Sequence, residues 1–186
     1  MALDKTFREL TESLRKLRDS FLALQLTVRE DVPSEGGVVL VDKVGDALDD
    51  SLGWSEEALT GALQAERAVA PPANVDLARR ALSSSQERFH RLQHRFQSEL
   101  VSYQRLKDLS AFGRSRRGEW SAWVRSVRDG LEQCQGPLEQ ASRCLSECWQ
   151  EIAERAAMTS VSVHSTNIGQ QIATSEADEL ARRGMT

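Results

Sequence analysis

Apolar residues recur along this chain at alternating spacings of three and four positions. The most regular stretch runs from Val75 to Leu109, where the stripe positions are Val75, Ala78, Leu82, Ser85, Phe89, Leu92, Phe96, Glu99, Tyr103 and Leu106. This alternation keeps one stripe of side chains on one side of an α-helix, as in coiled coils and bundles of long helices. The pattern predicts a long central helix that continues to about Ala111.

The same alternation predicts a first helix from about Leu3 to Arg29. Its stripe consists of Leu3, Phe7, Leu10, Leu14, Leu17, Phe21, Leu24 and Val28. Leu22 and Leu26 lie beside that stripe and widen the apolar face, which favours contact with at least two other helices. A proline and two glycines within Asp31–Gly37 prevent the helix from continuing.

A second helix is predicted from about Val38 to Ala70, with a less regular stripe. Its positions are Val41, Val44, Leu48, Leu52, Ser55, Leu59, Ala62 and Val69. Three glycines lie within it, each costing up to about 1 kcal/mol relative to alanine, so a break near Gly53 is left open. The run Val38–Val41 has the composition of a strand, but a lone strand would leave its backbone polar groups unpaired. Pro71 and Pro72 end the element, and Asn74 is a suitable N-cap for the next helix.

A fourth helix is predicted to begin at Glu119. Its stripe consists of Trp120, Val124, Val127, Leu131, Cys134, Leu138, Ala141, Leu145, Cys148 and Ile152. The stripe keeps its phase across Gly136-Pro137, so the proline predicts a kink and not a helix end. The apolar pattern ends near Met158, and only a weak helical candidate follows between Thr166 and Arg183.

Together these elements predict an all-α protein, a four-helix bundle of long antiparallel, coiled-coil-like helices. Residues 1–157 form the bundle, and residues 158–186 form a tail that is flexible or becomes ordered on a partner. We expect one shared core that contains Leu14, Phe21, Leu82, Phe89, Phe96, Val127, Leu131 and Leu145. The second helix is acidic and the third is basic, so ion pairs are expected between them. Ser85 and Glu99, polar positions in the third stripe, are expected to fix the register of that helix.

The charge, the apolar content and the cysteines of the chain indicate where in the cell it is expected. The net charge of -4 gives no overall attraction to nucleic acid or to acidic membranes. No stretch approaches the roughly 20 apolar residues that a membrane span needs, and the charged N-terminus does not fit a signal peptide, so we expect a cytoplasmic protein. Its 3 cysteines cannot all pair, and buried free thiols are the simplest interpretation.

The residues that could carry chemistry do not form a recognised catalytic or cofactor site. Glu87 and His90 match half of a di-iron motif, but Phe89 occupies the stripe and turns them, together with His94, towards solvent. The stripe of the fourth helix has three cysteines on or near it, Cys134, Cys144 and Cys148, and no histidine is near them in the sequence. We expect buried free thiols, and a metal site or a reactive thiol is the alternative. We therefore expect no catalytic residues, no metal and no cofactor.

Arginines provide the alternative to a purely protein-binding function. The candidate basic patch is Arg114, Arg116 and Arg117, extended by Arg79, Arg80, Arg88, Arg91 and Arg95. It suits a nucleic-acid or anionic-surface binder, but it lacks interleaved aromatic residues, and the acidic second helix offers an internal partner. Nucleic acid is therefore not the expected partner.

The pattern favours a non-catalytic protein-binding or scaffold subunit that presents helix faces and its tail to another protein. In the tail, Ile168 and Ile172 lie one helical turn apart and Leu180 two turns further on, which suits docking into a groove on a partner. On the bundle, Trp123 and Trp149 lie beside the stripe and either anchor a partner or complete the core. The pattern leaves open whether the bundle closes within one chain or between two copies.

Overall fold

The computed structural model describes the backbone of residues 2–30, 32, 38–70, 73–100 and 117–183. Side-chain surroundings are described for residues 5–30, 32, 41–70, 73–98 and 120–157. The α-helices are α1 (Ala2–Glu30), α2 (Val38–Val69), α3 (Val75–Arg95) and α4 (Arg117–Arg183), and a π-helix, Phe96–Leu100, follows α3. The chain divides into two compact units, Met1–Trp149 and Gln150–Thr186.

The first unit has one apolar core, which confirms the predicted all-α bundle. The eight residues predicted to share this core are each at most 4% exposed. The stripes of α1 and α4 are buried along their described length within this unit because large apolar residues recur at every turn on one face. The charged residues of both helices lie mainly on the opposite faces, where water solvates them.

Polar contacts show that consecutive helices run antiparallel. Between α1 and α2, Arg29 near the end of α1 pairs with Asp49 at 2.8 Å, whereas Thr11 donates to Glu66 near the end of α2. Between α2 and α3, Arg95 pairs with Asp50 at 3.0 Å and Arg88 pairs with Glu57 at 2.8 Å. The last two pairs confirm the predicted attraction between the acidic and the basic helix.

Helix α4 closes the bundle by packing along α1 in the opposite direction. The indole of Trp123 donates to the backbone carbonyl of Val28, near the end of α1, over 3.3 Å. At the other end of this interface, side-chain atoms of Glu9 on α1 and Cys144 on α4 lie within 4.8 Å of each other. The four-helix bundle therefore closes within one chain.

Helix α2 buries a stripe of small residues in addition to most of the predicted stripe, in which Val41 and Leu52 are only partly buried. The small residues are Ala47, Ser51, Ala58, Gly61, Ala65 and Ala68. A Cβ placed on Gly61 would stand 2.9 Å from the backbone nitrogen of Ser85 and 3.0 Å from the carbonyl oxygen of Ala81. The small residues thus allow α3 to approach closely. Helix α2 is continuous, so the break left open near Gly53 does not occur.

The predicted third helix changes type at Phe96. The backbone amide of Phe96 donates to the carbonyl oxygens of both Leu92 and Gln93, and residues 96–100 then continue as a π-helix. Phe96 nevertheless stays in the core, where its ring meets the edge of Phe21 with 6.2 Å between centroids. The remaining predicted part of this helix, with stripe residues Tyr103 and Leu106, lies outside the described residues.

Helix α4 is longer than its apolar pattern predicts. It begins at Arg117, two residues before the predicted start, and its backbone stays helical to Arg183, well beyond Met158. Pro137 lies inside the helix, which confirms that this proline does not end it. Among the described helices, none has the length and apolar composition needed to cross a bilayer.

Candidate functional site

The two tryptophans predicted as bundle anchors lie in different environments. Trp123 is 2% exposed and packs edge-on against Trp120, with ring centroids 5.5 Å apart. Because its indole N–H already donates to Val28, Trp123 completes the core, which was the alternative left open by the sequence. Trp149 is partly exposed. Its indole nitrogen is buried and finds no hydrogen-bond acceptor among the described residues.

The arginines of α3 are largely engaged with carboxylates of the bundle. Arg88 pairs with Glu57 on α2, and Arg91 pairs with Glu87 one turn earlier on α3 at 2.7 Å. These contacts support the internal role of the basic face. Arg114 and Arg116 lie outside the described residues, and Arg117 is the first residue of α4. Nucleic-acid binding by this patch stays a prediction.

The half di-iron motif is solvated, as predicted. Glu87, His90 and His94 are all exposed on α3, and the Glu87 carboxylate is held by Arg91. Because Phe89 between them is 1% exposed and faces the core, these polar side chains point away from the bundle interior. Their arrangement suits surface charge and not a buried metal centre.

An apolar pair remains uncovered on α1. Leu22 and Leu26 are 43% and 50% exposed and lie one helical turn apart. The sequence predicts that they widen the buried face of α1 and that α1 contacts at least two helices; α1 does contact α2 and α4, but neither leucine is buried. Two exposed leucines at this spacing form a small apolar surface on the first unit.

The second compact unit contains one helical segment, the part of α4 from Gln150 to Arg183. The backbone of this segment includes the three predicted tail anchors, Ile168, Ile172 and Leu180, whose side chains lie outside the described set. The tail predicted as flexible or ordered by a partner is thus helical in its backbone. Its engagement with a partner stays a prediction.

The three cysteines are free and buried, which confirms the prediction for these thiols. Burial raises the pKa of the Cys134 thiol to about 12. The pKa of Cys144 is also raised, first by burial and then by the nearby carboxylates of Glu147 and Glu9. Hydrogen bonds from neighbouring polar groups act in the opposite direction. Both thiols are therefore kept protonated at neutral pH.

Cys144 also belongs to a group that the sequence did not reveal. Ligand atoms of Glu9, Cys144 and Glu147 lie within 4.8 Å of one another where α1 packs against α4. The spacing of Cys144 and Glu147, three residues apart on one helix, was a partial signal. The contribution of Glu9 depends on the register of α1 against α4, which the apolar stripes alone do not fix.

Two shallow grooves flank α4 on the first unit. One of about 450 Å³ lies between the end of α3 and α4 and is lined by Phe96, Leu138 and several glutamines. The other, of about 400 Å³, lies between α1 and α4 and is lined by Glu9, Ser13 and Gln140 among others. The second groove thus exposes Glu9 and Gln140 to solvent, whereas Cys144 does not line it and is 1% exposed.

Comparison of the chain with models of known protein families, with curated proteins and with solved structures gives no match. Function is therefore inferred from the residues and their geometry.

Proposed function

We propose that this protein is a non-catalytic binding subunit that presents its C-terminal helical segment, residues 158–183, to a partner protein. The observation that carries the proposal is the composition of the second unit, which consists of one helical segment without a second helix of its own. Isolated helices are marginally stable in water, and most helices in proteins are stabilised by packing of an apolar face. The segment continues α4, but the described part of its own unit contains no second helix against which its apolar residues could be buried. We infer that they pack on a surface outside that unit.

The sequence of the segment fits a helix that lies in a groove. Ile168 and Ile172 are four residues apart and Leu180 is eight residues further, so helical spacing places the three on neighbouring sides of the axis. Most of the other residues are small or polar. A few apolar anchors on an otherwise polar helix are typical of helices recognised by a hydrophobic groove.

The bundle supplies the scaffold for this segment. Among the described residues of the first unit, the buried apolar side chains come from α1, α2, α3, Phe96 and the part of α4 up to Cys148. The partly exposed Trp149 offers one further aromatic contact for a partner. The free, buried thiols support a reducing compartment, in agreement with a cytoplasmic location. The non-catalytic character rests on the lack of a recognised catalytic motif in the sequence.

Affinity capture from native lysate tests the proposal with four immobilised forms of the chain. These are the full chain, a chain ending at Ala157, the double variant Ile168→Asp/Ile172→Asp and the control Gln170→Asp. Position 170 lies about 200° around the helix from position 168, so its substitution adds charge on the other side. We expect the full chain and the control to capture the same partner, and the other two forms to lose it.

Two results would contradict this proposal. If the chain ending at Ala157 captures the same partners in the same amounts, the binding surface lies on the bundle. If the double variant binds as well as the full chain, the isoleucines are not anchors. Capture of a second copy of this chain alone would show self-association in place of a partner protein.

A further inference from the structure

Helices α1 and α4 bring together a thiol and two carboxylates from opposite ends of the sequence. Cys144 and Glu147 are three residues apart on α4 and share one side of that helix. Glu9 lies on the facing part of α1, with its carboxylate near the Cys144 sulfur. One ligand atom from each of Glu9, Cys144 and Glu147 lies within 4.8 Å of the other two.

We propose that Glu9, Cys144 and Glu147 form a binding site for one thiophilic divalent cation such as Zn²⁺. Three ligands of a tetrahedral zinc ion, at the usual sulfur and oxygen distances, would lie about 3.3–3.7 Å from one another. The cluster must therefore contract by roughly 1 Å. The carboxylate of Glu9 is half-exposed and Glu147 is exposed, so both side chains can rotate towards the buried sulfur.

The ligand set selects the class of metal. A thiolate favours zinc or cadmium over magnesium and calcium, which prefer oxygen ligands alone. On binding, the Cys144 thiol releases its proton to solvent and the sulfur donates an electron pair to the metal. Two carboxylates and one thiolate bring three negative charges to the site, more than enough to offset a divalent cation.

Gln140 can supply a fourth ligand. The carboxamide of Gln140 lies one turn before Cys144, and its nitrogen is 3.7 Å from the sulfur. Because oxygen and nitrogen of such an amide exchange by a simple flip, Gln140 can present its oxygen to a metal. Glu9 and Gln140 both line the groove of about 400 Å³, so a metal ion from solvent can reach these two side chains.

One existing contact competes with the metal. Lys5 lies 3.6 Å from the Glu9 carboxylate, but the Lys5 side chain is 79% exposed and that of Glu9 is 45% exposed. Exposed pairs of this kind contribute little free energy, so metal coordination readily replaces it. The site does not depend on the C-terminal segment or on the proposed partner.

Cobalt titration of the purified full chain tests the site, because thiolate-bound Co²⁺ has a charge-transfer band in the near ultraviolet. After removal of metals with a chelator, we expect the band to saturate at about one Co²⁺ per chain and to be displaced by Zn²⁺. Cys144→Ala should abolish the band. Glu9→Gln and Glu147→Gln should each weaken metal binding at least about 10-fold.

Matched controls separate the site from a general effect on the fold. Cys134→Ala removes another buried thiol of α4, and Glu139→Gln neutralises an exposed carboxylate of the same helix; both should bind Co²⁺ as the unchanged chain does. Absence of the band in the full chain would overturn the proposal, as would its survival in Cys144→Ala. If Cys144→Ala does not fold, Glu147→Gln provides the test, because Glu147 is exposed and its substitution should not disturb the fold. An unchanged affinity of Glu147→Gln for Co²⁺ would then contradict the proposed site.

Discussion

The backbone of Gly61 in α2 lies directly against Ser85 in α3. A Cβ at position 61 would stand 2.9 Å from the Ser85 nitrogen and 3.0 Å from its Cβ. One turn away, the Ser85 hydroxyl donates a hydrogen bond of 2.7 Å to the backbone carbonyl of Ala58. Steric fit and a buried hydrogen bond thus fix the register between the two helices, the role predicted for Ser85.

Gly61→Ala should lower the free energy of unfolding. Alanine gains up to about 1 kcal/mol of helix propensity over glycine. Overpacking a tight interface typically costs about 1–3 kcal/mol, and the atoms around position 61 are mostly backbone atoms that cannot swing aside. We therefore expect net destabilisation of roughly 0–2 kcal/mol when the full propensity gain applies, measured as a lower midpoint of urea unfolding with an unchanged slope.

Gly45→Ala is the matched control for this prediction. It lies in the same helix, but a Cβ at position 45 would meet nothing within 4 Å. Only the propensity gain applies there, so the variant should be equally stable or more stable. If both variants are stabilised alike, the close approach at Gly61 is not a constraint on the fold.

Phe89→Asp should unfold a large part of the population. Phe89 is 1% exposed, and an aspartate there would place an unpaired charge in the core, at a cost of several kcal/mol against a typical total of 5–15 kcal/mol. Leu77→Asp introduces the same side chain on the same helix at a position that is 53% exposed. The melting temperature should fall steeply for Phe89→Asp and little for Leu77→Asp. Equal melting temperatures would show that Phe89 does not lie in the core.

The sequence predicted the large apolar stripes and missed the small one. Leucines and phenylalanines recur every three or four residues in α1, α3 and α4, so burial of those faces follows from periodicity alone. In α2, alanine and serine carry too little apolar area to mark a second face. Gly61 lies against the backbone of α3, which is distant in the sequence. The residues that flank Gly61 in the sequence do not indicate this contact.

The stability of the protein should fall at alkaline pH because of Cys134. Burial raises its pKa from 9.0 to about 12 in the folded chain, so the folded state holds the proton more tightly than the unfolded state. Below pH 9 the Cys134 thiol is protonated in both the folded and the unfolded state, and its contribution to the free energy of unfolding is fully present. As the pH rises from 9 towards 12, the unfolded state loses this proton first, so that contribution is lost. The free energy of unfolding, measured by urea titration at several pH values, should therefore decrease more steeply over that range in the unchanged chain than in Cys134→Ala.

Labelling of the thiols checks the same burial in another way. Cys134 and Cys144 should react slowly with a thiol reagent in the native protein and fully after denaturation, because their reactive thiolate forms are disfavoured. Rapid native labelling of Cys134, or an identical alkaline slope in Cys134→Ala, would show that this thiol is not desolvated as the structure indicates.

The candidate sites were less predictable than the fold. Glu9 and Cys144 are far apart in the sequence, and only the antiparallel packing of α1 on α4 brings their side chains together. In the sequence, Trp123 and Trp149 both lie beside the apolar stripe of the fourth helix and cannot be distinguished. In the structure Trp123 is buried, whereas Trp149 is partly exposed. Beyond Met158 small polar residues lack an apolar stripe, so the sequence indicated only a weak helix between Thr166 and Arg183 and not the uninterrupted helical backbone of α4.

The most direct test of the proposed division between scaffold and binding segment is the melting temperature of a chain that ends at Ala157. The core residues of the first unit all precede that position, so the shortened chain should melt within about 2 °C of the full chain. A change of 1 kcal/mol would shift the melting temperature of a protein this size by roughly 2–4 °C. A loss of about 5 °C or more would show that residues 158–186 stabilise the chain's own fold, which would contradict their proposed role as a segment held for a partner.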